Sequence, residues 1–135
     1  MKYLLDVSAL VGLGLAQHEF HDRVTAWVQA LESRGIPQLA TCAITELGFV
    51  RVLSQVPVYS LTVPQARDLL LRLKAAKTLN FTFISDEHDV SHLPAWIKTA
   101  RQITDGHLAQ LAKASGAVLA TLDSRIPGAF LIPAR

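Results

Sequence analysis

Four acidic residues, Asp6, Glu46, Asp105 and Asp123, stand where an apolar strand passes into a helix or in the first turns of a helix, in segments spread over the whole chain. The sequence has only 11 Asp and Glu in all. Four of them at such junctions point to one metal-binding pocket assembled from distant segments. Tyr3, Leu4 and Leu5 make a short apolar run that ends at Asp6, and residues 7–10 have helical character. Near the other end Gly116 breaks a helix, residues 117–122 read as a buried strand, and Asp123 terminates it, with Ser124 and Arg125 following. Thr104 and Asp105 open an apolar-periodic stretch containing Leu108, Leu111 and Ala112, which places one of the two at or near a helix N-cap. Open α/β sheets bind ligands outside the carboxyl ends of their strands, a placement that would bring Asp6, Asp105 and Asp123 together. Glu46 comes from a fourth segment.

The elements that must position these side chains alternate. Residues 20–31 carry Val24, Trp27, Val28 and Leu31 at helical spacing, and Arg34-Gly35 and Pro37 end that helix. Residues 39–41 form a short strand candidate, followed by a helix over 42–53 with Ile44, Leu47 and Val50 on its apolar side and Glu46 about one turn in. Thr62 is a candidate N-cap with Pro64 in the first turn, and Leu69, Leu70 and Leu73 continue that helix to about residue 76. Residues 80–84 alternate and carry two Phe, which favours a strand. Residues 85–94 read as polar loop, 96–102 as a return to helical pattern, and 130–132 as a last edge strand stopped by Pro133. This alternation predicts a three-layer α/β/α sandwich around a mainly parallel sheet.

Composition sets bounds. At 135 residues, 50% hydrophobic and 18% charged, the chain suits a single domain over residues 1–135 with a substantial core. The formal net charge of +2 is too small to imply nucleic acid by itself, so any such binding needs a local basic patch. Cys42 is the sole cysteine, which excludes an internal disulfide and a cysteine-rich zinc site and suits a reducing compartment. The start lacks a signal-peptide pattern and no segment approaches a span of about 20 apolar residues, so a cytoplasmic, membrane-free protein is expected.

Residues 4–10 (LLDVSAL), 41–53 (TCAITELGFVRVL), 103–112 (ITDGHLAQLA) and 119–123 (LATLD), in that order and spacing, resemble the PIN-domain nucleases, in particular the bacterial VapC-type ribonuclease toxins. The resemblance covers essentially the whole chain. It implies Asp6, Glu46, Asp105 and Asp123 as an acidic quartet that holds Mg²⁺ or Mn²⁺ for hydrolysis of RNA phosphodiester bonds. It further implies a small antitoxin protein as partner, and a homodimer. Two positions depart from the family pattern: Ser8 stands where Asn is frequent, and Gly106 where Ala is common. Gly106 is expected to loosen its helix start by about 1 kcal/mol relative to Ala.

The residue types suit that chemistry. A hard divalent cation activates water and neutralises phosphate oxygens, and it prefers oxygen ligands. Asp6 and Asp105 are the expected direct ligands, with Asp123 binding directly, through water or to a second ion. Glu46 is the candidate general base. The hydroxyls of Ser8, Thr104 and Thr121 lie beside these carboxylates and could orient them, and Arg51 is a phosphate contact or an ion-pair partner.

Each acid also has an ordinary explanation, as helix cap, turn residue or solvated helix face, and only the joint pattern outweighs it. His18 with His21, and His88 with His92, have metal-compatible spacing but no evident third ligand, and read as surface histidines. Trp27 and Trp96 read as core or interface, Asp86-Glu87-His88-Asp89 as a solvated loop. A phosphate-accepting receiver would need an acidic neighbour for Asp6, and a dehalogenase-like phosphatase would need Asp where Ser8 stands. The strongest competing function is a non-catalytic PIN-fold module that binds a partner protein or RNA without cleaving it.

Overall fold

The computed structural model describes residues 1–134. The elements run β1 (Lys2–Leu5), α1 (Val7–Gly14), α2 (His21–Glu32), β2 (Gln38–Cys42), α3 (Ala43–Gln55), α4 (Val63–Lys74), β3 (Asn80–Ile84), α5 (Ile103–Ala114), β4 (Ala117–Thr121) and β5 (Phe130–Leu131). The strands form one sheet in the order β3-β2-β1-β4-β5, and every pairing is parallel. The expected three-layer α/β/α sandwich is therefore the observed architecture.

Strand alternation builds the layers. Leu5, Leu39 and Ala120 face one core with Val24, Phe49, Leu53 and Leu70 from α2, α3 and α4. Leu4, Ala40 and Leu119 face the other, where α5 contributes Leu108, Leu111 and Ala112. Trp27 belongs to the first core, packed edge-on against Tyr3 with ring centroids 5.0 Å apart. Gly48 lets α3 approach α1 closely: a Cβ there would lie 2.5 Å from Val7 Cγ2.

Two boundaries differ from expectation. Residues 96–102 do not continue as a helix; only Ala100–Gln102 form a 3₁₀ turn leading into α5. The backbone N–H groups of Lys98 and Thr99 donate to Gln102 Oε1, at 2.7 and 3.1 Å, instead of to a helical carbonyl. Consequently Gln102 is the N-cap of α5, and Asp105 lies in its first turn. No described helix is long and apolar enough to cross a membrane.

Candidate active site

β1 is central, with β2 on one side and β4 on the other, so the connections leave it in opposite directions. The carboxyl ends of β1 and β4 thus flank the switch point where α/β sheets place their ligands. Asp6 directly follows β1, and Asp123 follows β4 with only Leu122 between it and Thr121.

Asp6 is buried and fully engaged with its surroundings. It caps α1 by accepting from Ala9 N at 2.9 Å through Oδ1, while Oδ2 accepts from the Thr121 hydroxyl at 2.6 Å. Burial pushes its carboxyl above the usual range; those two hydrogen bonds oppose the shift, and the charges of Asp105 and Asp123 add to it. Asp105 is likewise raised, first by burial and then by Asp123, with Arg125 acting in the other direction. These mutual effects make Asp6, Asp105 and Asp123 one electrostatic group.

Asp123 behaves differently. Its Oδ1 accepts from Arg125 N and Nε at 2.9 and 3.0 Å, and Oδ2 accepts from Arg125 Nη2 at 3.1 Å. Those bonds hold its carboxyl below the usual range. Arg125 lies between two clefts. One contains Asp6, Ser8, His18 and Asp123; the other contains Asp105, Asp123, Arg101 and Trp96.

Glu46 stands apart from the three aspartates in its partners. Its Oε2 accepts from the Thr41 hydroxyl at 2.6 Å and from Lys74 Nζ at 2.5 Å. Thr41, the penultimate residue of β2, thus holds Glu46 as Thr121, the last residue of β4, holds Asp6. The other expected neighbours divide. Ser8 is exposed and lines the Asp6 cleft, Thr104 opens toward a separate groove with His107 and Asp86, and Arg51 is exposed on α3 in neither Asp6 nor Asp105 cleft. His107 pairs with Asp86, so the polar loop is tied to α5 rather than merely solvated.

Sequence reasoning passed over Thr41, Lys74 and Arg125 as site residues. Arg125 carried a local signal, two positions after Asp123, where an Asp side chain commonly receives the backbone N–H. Lys74 carried none, being 28 positions from Glu46.

The donor set is all oxygen and suits a hard cation. Asp6 and Asp105 fit that role best, since burial and neighbouring carboxylates raise both of them despite the groups that oppose the shift. Asp123 would join on release of Arg125. As the side chains stand, no group of three or more His, Cys, Asp or Glu among the described residues is arranged to hold a metal ion.

The parallel sheet between helical layers is the architecture that the alternation of elements implied. The chain belongs to the PIN domain family, which matches over residues 3–129. Ribonuclease VapC38 of Mycobacterium tuberculosis is 36% identical over 127 residues, covering 91% of this chain and 86% of that protein. Ribonuclease VapC44 of the same species is also 36% identical, over 132 residues covering 93% and 89%. Among solved structures, VapBC2 from Rickettsia felis, bound to a DNA fragment from its promoter, matches with a TM-score of 0.59 and 18% identity, covering 97% of both chains. That last likeness concerns the fold.

Proposed function

We propose that this protein is a metal-dependent endoribonuclease and the toxin of a VapBC-type toxin–antitoxin pair. The observation that supports the reading is that Asp6 and Asp123 line one cleft and Asp105 and Asp123 the adjoining one, with Asp6 and Asp105 raised by burial and by neighbouring carboxylates. The resemblance to proteins named ribonucleases over nine-tenths of the chain supports the same reaction class.

Asp6 and Asp105 would hold Mg²⁺ or Mn²⁺, with Asp123 as third carboxylate. The bound cation supplies charge neutralisation at the phosphate and a more acidic water. Thr121 and the N-terminus of α1 orient Asp6, the residue that would hold the cation. Glu46, held through Oε2 by Thr41 and Lys74, would serve as the general base for the attacking water. Partners in this reading are an RNA substrate, a cognate antitoxin protein and a second copy of the chain, in the cytoplasm.

Purified protein freed of any partner is expected to cleave RNA with Mg²⁺ or Mn²⁺ and to stop in excess chelator. Asp6→Asn and Asp105→Asn should abolish cleavage with the fold retained, and equal cleavage in chelator would sink the reading. One observation favours a second reading, a PIN-fold binding module without cleavage: Arg125 and Lys74 already neutralise two of the four acids. Metal-independent RNA binding by a chain with no cleavage under any divalent cation would establish it.

A further inference from the structure

We propose that the cleft bounded by Trp96, Thr99, Arg101 and Arg125, beside Asp105 and Asp123, takes the nucleotide adjoining the scissile phosphate, with Trp96 stacking on its base and Arg101 holding its phosphate. The proposal rests on the nuclease reading and adds the substrate-binding residues.

The cleft encloses about 480 Å³, within the range of roughly 300–1,000 Å³ usual for small-ligand sites. Two of its walls are the carboxylates already assigned to the reacting end. The remaining walls carry the two things a nucleotide needs. Arg101 is exposed and makes no ion pair among the described residues, although it lies four positions before Asp105 in a continuous 3₁₀-to-α run. A guanidinium left unpaired beside two carboxylates is available to a phosphate. Trp96 is half-buried, packed on the α5 side of the core and lining this cleft; an indole there offers an aromatic partner, and every base has a π-face to stack on it.

The platform is built rather than incidental. A Cβ on residue 106 would lie 2.1 Å from Ile97 Cδ1 and 3.5 Å from Trp96 Cη2. With glycine at 106 the Ile97 side chain packs directly on the first turn of α5, next to Asp105; a larger residue would require Ile97 to shift, while Trp96 would stay in ordinary contact. The 94–97 turn is closed by Ile97 N donating to Pro94 O at 3.2 Å, and Gln102 Oε1 gathers the next two backbone N–H groups. Gly106, where the family pattern commonly has Ala, is the position on which Ile97 packs. Preorganised aromatic surface loses little entropy on binding.

Steady-state cleavage of a single-stranded oligoribonucleotide in Mg²⁺ at several salt concentrations tests the assignment, with melting curves to show that each variant is folded. Arg101→Ala should raise KM roughly tenfold. It should also flatten the dependence of log(kcat/KM) on log salt by about 0.7, the loss of one phosphate contact to a single strand. Trp96→Leu should raise KM by a similar factor, and Trp96→Phe should restore most of it. Fluorescence quenching by the same oligoribonucleotide, with Trp96→Phe reporting Trp27 alone, reads binding independently of cleavage. If wild type cleaves but Arg101→Ala and Trp96→Leu retain its KM and salt slope, the subsite assignment is overturned and the cleft is left to a protein partner. If wild type does not cleave, the nuclease reading has failed, and quenching that vanishes in Trp96→Phe and weakens in Arg101→Ala still upholds the nucleotide site, whereas its absence overturns that too.

Discussion

Lys74 Nζ lies 2.5 Å from Glu46 Oε2, joining the last turn of α4 to the first turn of α3 through two side chains that are each about three-quarters shielded from solvent. The same ammonium lies 5.6 Å from the centroid of the Phe83 ring on edge strand β3. Glu46 is therefore a positioned carboxylate with an internal counter-ion, whereas Asp6 and Asp105 are held beside a charge of their own sign.

Lys74→Met should lower stability by about 1 kcal/mol, the order expected for a charged hydrogen bond that remains partly hydrated. A double-mutant cycle with Glu46→Gln, read by denaturant unfolding, checks this. Additive losses would mean that the two side chains do not interact in solution. Lys74→Arg should recover part of the loss, because it keeps the charge but not the geometry.

Thr121→Val removes the hydroxyl that donates to Asp6 Oδ2 and accepts from Asp123 N at 3.0 Å, with little change in shape. Leaving the buried Asp6 oxygen without that donor should cost about 1–3 kcal/mol. Calorimetric Mn²⁺ titration should show weaker binding as well, since the carboxylate loses its orientation. Unchanged melting together with unchanged Mn²⁺ affinity would show that Thr121 does not position Asp6.

Asp105→Asn should raise the melting temperature near pH 7 in chelator, by roughly 2–5 °C, because it removes one like charge from the group. Mg²⁺ should then stabilise wild type more than the variant, as it binds the folded wild type preferentially. The ranking of the two proteins reverses between chelator and Mg²⁺. A variant less stable in chelator, with equal Mg²⁺ shifts for both, would reduce Asp105 to a helix-terminal residue.

The pH dependence carries a definite sign. Asp6 and Asp105 have folded values above 3.8, raised first by burial and then by like charge. Between the unfolded and folded values the folded state binds more protons, so their contribution is fully present below the unfolded value and is lost as pH rises through the folded one. Asp123, depressed by Arg125, acts in the opposite sense: its contribution is present above 3.8 and lost on acidification through the folded value. Arg125 is largely exposed and Asp123 about one-third exposed, so solvent screens the pair and the first effect should dominate. Melts in chelator should decline from about pH 4 toward neutrality more steeply for wild type than for Asp105→Asn, and parallel profiles would count against the shared carboxylate group.

Gly106→Ala sets helix propensity against packing. Alanine gains about 1 kcal/mol in the helix, but its Cβ would meet Ile97 Cδ1 and Cγ1 at 2.1 and 2.6 Å. Overpacking of that kind costs about 1–3 kcal/mol unless the neighbour moves. The expected result is no gain in melting temperature and a displaced Trp96, seen as a shift in its emission. A stabilised variant with unaltered emission would mean that Ile97 gives way freely.

Much of this protein was legible in the chain order of its residues, because strand termini and helix starts are local events. The run from Tyr3 to Leu5 ending at Asp6, and the small-residue strand before Asp123, follow from alternation and breakers a few positions apart, and the three-layer sandwich follows from their repetition. Residues 96–102 misled, since their helical pattern does not reveal that Gln102 Oε1 takes the N–H groups of Lys98 and Thr99. The site's electrostatics lay further from view. That the charges of Asp105 and Asp123 bear on Asp6, that Lys74 pairs with Glu46, and that Ile97 packs on Gly106 are all through-space facts. Each depends on which helix the sheet order places beside which strand end, and on the fractions of an ångström that decide whether a side chain fits. Only the tertiary structure brings those atoms within range.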